Sequence, residues 1–216
     1  SITPNPVFLK ISNKLGGNKL KDRMKKGIFG IESDFVEKNP NLVSPNETDW
    51  SDPVQLLTND KSGSAGRATL YWTDKKNIPK GSNYFDYYKI VTTSAYPKKS
   101  IVAGVPTIEN VKNRVKILVK KLPNNSAFGQ SRLAMFMSKN EEEINNFMKY
   151  VNTDFFAALM LQEPNRRSAF GYVIPDQDFT NNSDIDWNKP IKDIDRQLFD
   201  KYHISDEERR LLGVKR

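Results

Sequence analysis

Few residues in this chain have the types and spacing to do chemistry. Glu37-Lys38 is a distant echo of the acid-lysine arrangement of metal-dependent nucleases, and one such pair is expected by chance in a chain that is 28% charged. Asp184 with Asp186, and Asp193 with Asp195, alternate along a polar tail and read as a solvated face, because metal ligands must converge from several directions. Ser62-Gly63-Ser64-Ala65-Gly66-Arg67 has the glycines of a phosphate cradle but lacks the Gly-Lys-Ser/Thr ending that positions a nucleotide and its metal, so it reads as a hairpin tip carrying Arg67. The absence of cysteine and the single His203 argue against disulfides, structural zinc, histidine clusters and Ser-His catalysis. No catalytic residue and no metal ligand is assigned.

What remains is charge. The chain carries 34 Lys/Arg against 26 Asp/Glu, and the excess is uneven: from Asp176 onward there are eight basic and ten acidic residues, leaving 26 against 16 before it. A basic body attracts polyanions through phosphate neutralisation and counterion release, so nucleic acid is the first partner to consider. The alternative is a basic surface that binds nothing anionic. Charge is densest at Lys10, Lys14, Lys19, Lys21, Arg23, Lys25 and Lys26, with Asp22 the one acid among the first 30 residues. Gly27-Ile28-Phe29-Gly30 closes this segment, either as a glycine turn approaching a ligand or as the loop after a solvated helix.

The 216 residues suffice for one large core or two small domains. No apolar run reaches the roughly 20 residues of a membrane helix and no signal-like start is present, so cytoplasmic residence and no membrane partner are expected. The start at Ser1-Ile2-Thr3-Pro4 is what a piece of a longer chain would show.

The elements that must hold these residues follow from turn formers and apolar period. Residues 38–68 read as loop-rich, with Asn39-Pro40, Ser44-Pro45 and Asp52-Pro53 as turns, before a strand at Thr69–Trp72. A second strand is expected at Tyr88–Thr93, its aromatics either core or, beside Lys89, Lys98 and Lys99, a base-stacking platform. Residues 107–122 fit a helix capped by Thr107 and also a strand with Lys112, Arg114, Lys116 and Lys120 on one face. Pro123–Gly129 reads as a polar turn and Arg132–Met137 as a buried strand. Ser138 with Glu141 opens an amphipathic helix, and Thr153 opens an apolar one ended by Pro164. In the tail Ile191, Ile194, Leu198, Phe199 and Tyr202 recur at helical spacing. The expectation is an α+β fold: a mixed sheet with packed helices, a basic body over 1–175, and a helical tail over 176–216 clasped to it through Trp187.

Several segments, in this order, resemble the C-terminal region of bacterial restriction-modification DNA methyltransferases, the adenine-N6 group and fused restriction-methylation proteins in particular. They are Ser138 to Thr153 with Phe155-Phe156, Val173-Ile174-Pro175-Asp176-Gln177-Asp178-Phe179, Ile185-Asp186-Trp187, and Ile194-Asp195-Arg196-Gln197-Leu198-Phe199-Asp200-Lys201-Tyr202. The resemblance covers the last third of the chain most fully. It implies a target-recognition domain that reads double-stranded DNA, with a methyltransferase catalytic domain elsewhere in the same parent chain. This chain has no glycine-rich cofactor loop and no Asn-Pro-Pro-Tyr motif, so S-adenosylmethionine is implied for the parent enzyme and no cofactor for this part. Arg67, Asn124, Asn125, Gln130, Arg166 and Arg167 are the base-reading candidates, since their paired donors and acceptors match adenine and guanine edges. Lys14, Lys19, Lys21, Arg23, Lys25 and Lys26 are the phosphate candidates. The rival readings are a protein-interaction module with an incidental basic surface and a fragment of a stand-alone restriction endonuclease.

Overall fold

Helices and strands part company in this protein. The computed structural model describes residues 6–63, 65–93, 107–163 and 170–215. In chain order the elements are α1 (Pro6–Ser12), β1 (Lys25–Lys26), α2 (Phe35–Lys38), β2 (Pro53–Asn59), β3 (Ala68–Asp74), β4 (Tyr88–Thr93), α3 (Ile108–Leu118), β5 (Lys120–Leu122), β6 (Ser126–Phe128), β7 (Arg132–Ser138), α4 (Glu141–Val151), α5 (Asp154–Met160), α6 (Ile191–Lys201) and α7 (Asp206–Leu211). The chain divides into two compact units, one of Ser1–Arg23, Ala95–Val119 and Glu142–Arg216, the other of Met24–Ser94 and Lys120–Glu141. All seven strands belong to the second, the β unit. Every described α-helix except α2 belongs to the first, the helical unit.

The helical unit is defined at its helix ends. Thr107 caps α3 in a full capping box with Asn110, Thr153 accepts from the Phe156 N–H at the head of α5, and Ser205 with Glu208 forms a second box on α7. At the end of α6, His203 takes φ +53° while its N–H bonds the Asp200 carbonyl and the Ile204 N–H bonds that of Phe199, a Schellman closure without the usual glycine. Buried Tyr150 is ringed by Phe156, Phe179 and Trp187 at 5.5, 5.7 and 6.1 Å, and Phe199 and Tyr202 of the tail meet Phe155 at 5.3 and 5.5 Å. The tail is therefore a wall of this core: Ile194, Leu198 and Trp187 are buried, and the Trp187 indole donates to the Asp178 carbonyl at 2.8 Å. The expected boundary at 175/176 falls inside this unit.

The β unit contains two sheets where the sequence suggested one. The order β1-β7-β4-β5 is antiparallel throughout; in β3-β2-β6, β2 pairs β3 antiparallel and β6 parallel. Phe29 lies at its centre, stacked on Phe85 at 5.8 Å and edge-on to Phe128 at 5.2 Å. Gly27 and Gly30 hold φ +65° and +68°, left-handed turns that set Phe29 into the core. This stretch, left open between a ligand approach and the loop after a solvated helix, packs Phe29 into the core.

Two other expectations need correction, and a third reading left open is decided. Residues 38–68 contain β2, whose Val54, Leu56, Leu57 and Thr58 are buried; Pro53 is tolerated because it is the first residue of the strand. Pro123–Gly129 contains buried β6. Of the two readings of residues 107–122 the helix capped by Thr107 is the one formed, α3 burying Ile108, Val111 and Val115, and the short strand β5 follows with Leu122 buried.

Candidate nucleic-acid interface

The six phosphate candidates divide between the units. In the helical unit Lys14 donates to Glu208 at 2.8 Å and to the His203 carbonyl at 2.9 Å, and Arg23 pairs with Asp176 at 2.5 Å. Lys21 lies over the Tyr172 ring at 4.6 Å. Lys19 donates to the Leu15 carbonyl, and partial burial pushes its ammonium below the ordinary value. Of these four, Lys14 and Arg23 meet acids of the tail. Lys25 and Lys26, in the β unit, stand exposed on edge strand β1, paired with Ala134 and Leu133. Such lysines also keep a sheet edge from pairing with another chain.

The base-reading candidates divide again. Strand β2 runs seven residues, about 20 Å at 3.3 Å per residue, and the candidates lie at its two ends. Asn124 is exposed beside the start of β2. Asn125 takes φ +58°, donates its N–H to the Phe85 carbonyl at 2.6 Å and its side-chain amide to the Pro53 carbonyl at 2.8 Å, so its groups serve the turn and not a ligand. Exposed Glu47, Asp49, Asp52 and Asp86 gather at this end, which disfavours a polyanion.

The other end carries cations. Arg67 is exposed in the β2–β3 hairpin, its backbone tied to Asp60 by the N–H to Oδ1 at 2.8 Å and the carbonyl from the Asp60 N–H at 2.9 Å. Gln130 is exposed, its N–H bonded to the Ile31 carbonyl. Lys61 is exposed in the same hairpin. Arg132, missed because it heads an apolar strand, is 9% exposed; its Nη2 donates to Asn59 Oδ1 at 2.8 Å, an oxygen that also accepts from Ser131 Oγ at 3.1 Å. Two carboxylates share this end. Asp60 accepts as described, and Glu37 accepts from the Ser62 N–H and Oγ at 2.9 and 2.8 Å, which holds it below the usual carboxylate range. Arg166 and Arg167, like Lys98 and Lys99, lie outside the described residues.

Possible catalytic groups are otherwise engaged. Lys38 pairs with Asp34 at 2.7 Å and Glu37 with Ser62, so the acid-lysine echo is dispersed. Among the described residues no group of three His, Asp or Glu is placed to hold a metal ion. Lys89 and Ser126 approach at 3.1 Å, the contact a Ser-Lys nucleophile would need, but both are fully buried. Asp195, expected on a solvated face, is buried and accepts the Phe155 N–H at 2.8 Å at the head of α5; burial pushes its carboxyl up to about 6. Among the described residues no helix is long and apolar enough to cross a membrane. No family model, curated protein or solved structure matches this chain.

Proposed function

We propose that this chain is the DNA-reading part of a restriction-modification adenine-N6 methyltransferase, directing methylation to a short duplex site in the cytoplasm. The observation that carries this reading is the cationic hairpin end of the β unit. There Arg67, Lys61 and Gln130 are exposed and Arg132 is buried, with Asp60 and Glu37 at the same end and exposed Glu47, Asp49, Asp52 and Asp86 toward the other end of β2. Lysine and arginine contacts to phosphate would set register, and Arg67 and Gln130 have the donor and acceptor pairs to read guanine and adenine edges. Methyl transfer and S-adenosylmethionine belong, on this reading, to the catalytic domain of the parent chain. The sequence order of motifs in the last third supplies the family; the helical unit that contains them serves as scaffold.

Selection from a pool of randomised duplexes tests it: the bound fraction should converge on one short motif, and Arg67→Ala should relax one position of that motif. Duplexes retained without enrichment would reduce the chain to non-specific binding. No retention at low salt would favour the interaction-module reading, which the pairing of Lys14 and Arg23 with the tail's own acids supports.

A further inference from the structure

Arg132 is a buried cation without a counter-charge. All 26 aspartates and glutamates of the chain lie among the described residues, and none forms an ion pair with it. Its guanidinium has five N–H donors. Among the described residues it has one acceptor, the neutral Asn59 Oδ1, already shared with Ser131, and its Nε is buried with no partner. Burial pushes its pKa below the ordinary value. Taking a guanidinium out of water costs several kcal/mol unless charge and hydrogen bonds offset it, and a single neutral acceptor does not. The register pairs Asn59 with Ala68, the chain neighbour of exposed Arg67, and exposed Gln130 precedes Arg132 by two residues.

We infer that the hairpin end of the β unit binds an oxyanion of the phosphate type, with Arg132 as its central donor and Arg67 and Gln130 at its rim. The planar fork of arginine matches two phosphate oxygens, which reach it through the 9% of its surface left exposed. Asp60 opposes an anion here, though its Oδ1 is already occupied by the Arg67 N–H. The choice of a DNA backbone phosphate as the natural source rests on the reading proposed above; free phosphate shares the chemistry.

The test uses the full chain with two probes, inorganic phosphate followed by thermal melting against chloride of equal ionic strength, and a short mixed-sequence duplex followed by fluorescence anisotropy. Two variants accompany it: Arg132→Met, which removes charge and keeps bulk, and Arg132→Gln, which keeps a donor for Asn59. Phosphate should raise the wild-type melting temperature and leave both variants unmoved. Duplex affinity should fall about tenfold in both, with a salt dependence shallower by about one contact. Variants that respond to phosphate like wild type, or that both unfold without it, would make Arg132 a structural strut and overturn the site. Duplex binding that is equal in all three chains would overturn the site and leave the DNA reading intact. A phosphate response confined to wild type, with no duplex binding, would keep the site and remove the DNA reading.

Discussion

The two units differ in the charges they bury. The helical unit buries carboxylates: Asp195 takes the Phe155 N–H, and Glu163 takes those of Tyr172 and Val173 at 3.2 and 3.1 Å. The β unit buries two cations and one carboxylate: Lys89 donates to the Tyr87 carbonyl at 2.6 Å, to Ser126 Oγ at 3.1 Å and to the Phe85 carbonyl at 3.4 Å, Arg132 donates to Asn59, and Asp74 accepts from Ser51 Oγ at 2.8 Å and from the Lys76 N–H at 3.2 Å. Backbone explains the difference. Helix starts and loops present N–H groups with no intrachain acceptor, which carboxylates satisfy, whereas tight turns between strands present carbonyls, which an ammonium satisfies. Four of these five buried charges have partners of the right kind. Arg132 is the exception, and exceptions to satisfaction are where function is to be sought.

The largest expected effect tests how far the helical unit depends on its tail. Trp187→Ala should cost about 3 to 5 kcal/mol in urea unfolding, the usual range for a buried tryptophan; a loss under about 1 kcal/mol would show that the tail is not part of the core. Next comes the buried cation of the β unit. Lys89→Ala should cost about 3 kcal/mol, through a cavity and the acceptors left around it, and Lys89→Met clearly less. Burial pushes the Lys89 ammonium down to about 7 against Asp86, which favours its charge. The unfolded chain therefore holds the extra proton between about pH 7 and 10.5, and the advantage of wild type over Lys89→Met should grow as pH rises through that window.

Asp195 should show the opposite slope. Its carboxyl, raised to about 6 by burial with Asp154 adding to the rise and Arg209 and Lys112 opposing it, keeps the folded chain protonated between about pH 4 and 6. The stability of wild type relative to Asp195→Asn should thus be greatest below pH 4 and be lost as pH rises through 6. Asp195→Ala, which strips the acceptor from the head of α5, should cost about 1 to 2 kcal/mol at neutral pH. Slopes of the same sign in the two series would break the comparison. The smallest effects belong to the half-exposed pairs: Lys14→Ala and Arg23→Ala should each cost under about 1 kcal/mol and less in high salt.

Where apolar period and caps agreed, the sequence was legible. Thr107, Thr153, Tyr88–Thr93, Arg132–Met137 and the α6 stripe all stand where spacing placed them. Strands β2 and β6 were hidden because each begins with residues that signal turns, Pro53 and the Asn124-Asn125 pair, while their burial depends on partners distant in sequence. Charge was the harder property to read. Lys14 and Arg23 looked available until Glu208 and Asp176, far along the chain, were brought to them, and Asp195 looked solvated until α5 supplied its N–H. Spacing cannot reveal a counter-ion that folding delivers from elsewhere, and so it passed over Arg132, which folding leaves without one.

The central claim is that this surface engages duplex DNA through phosphate, and the most direct measurement is duplex affinity across a salt series. Log affinity should fall linearly with log salt at about −0.9 per phosphate contact. Affinity unchanged between low and physiological salt would contradict it.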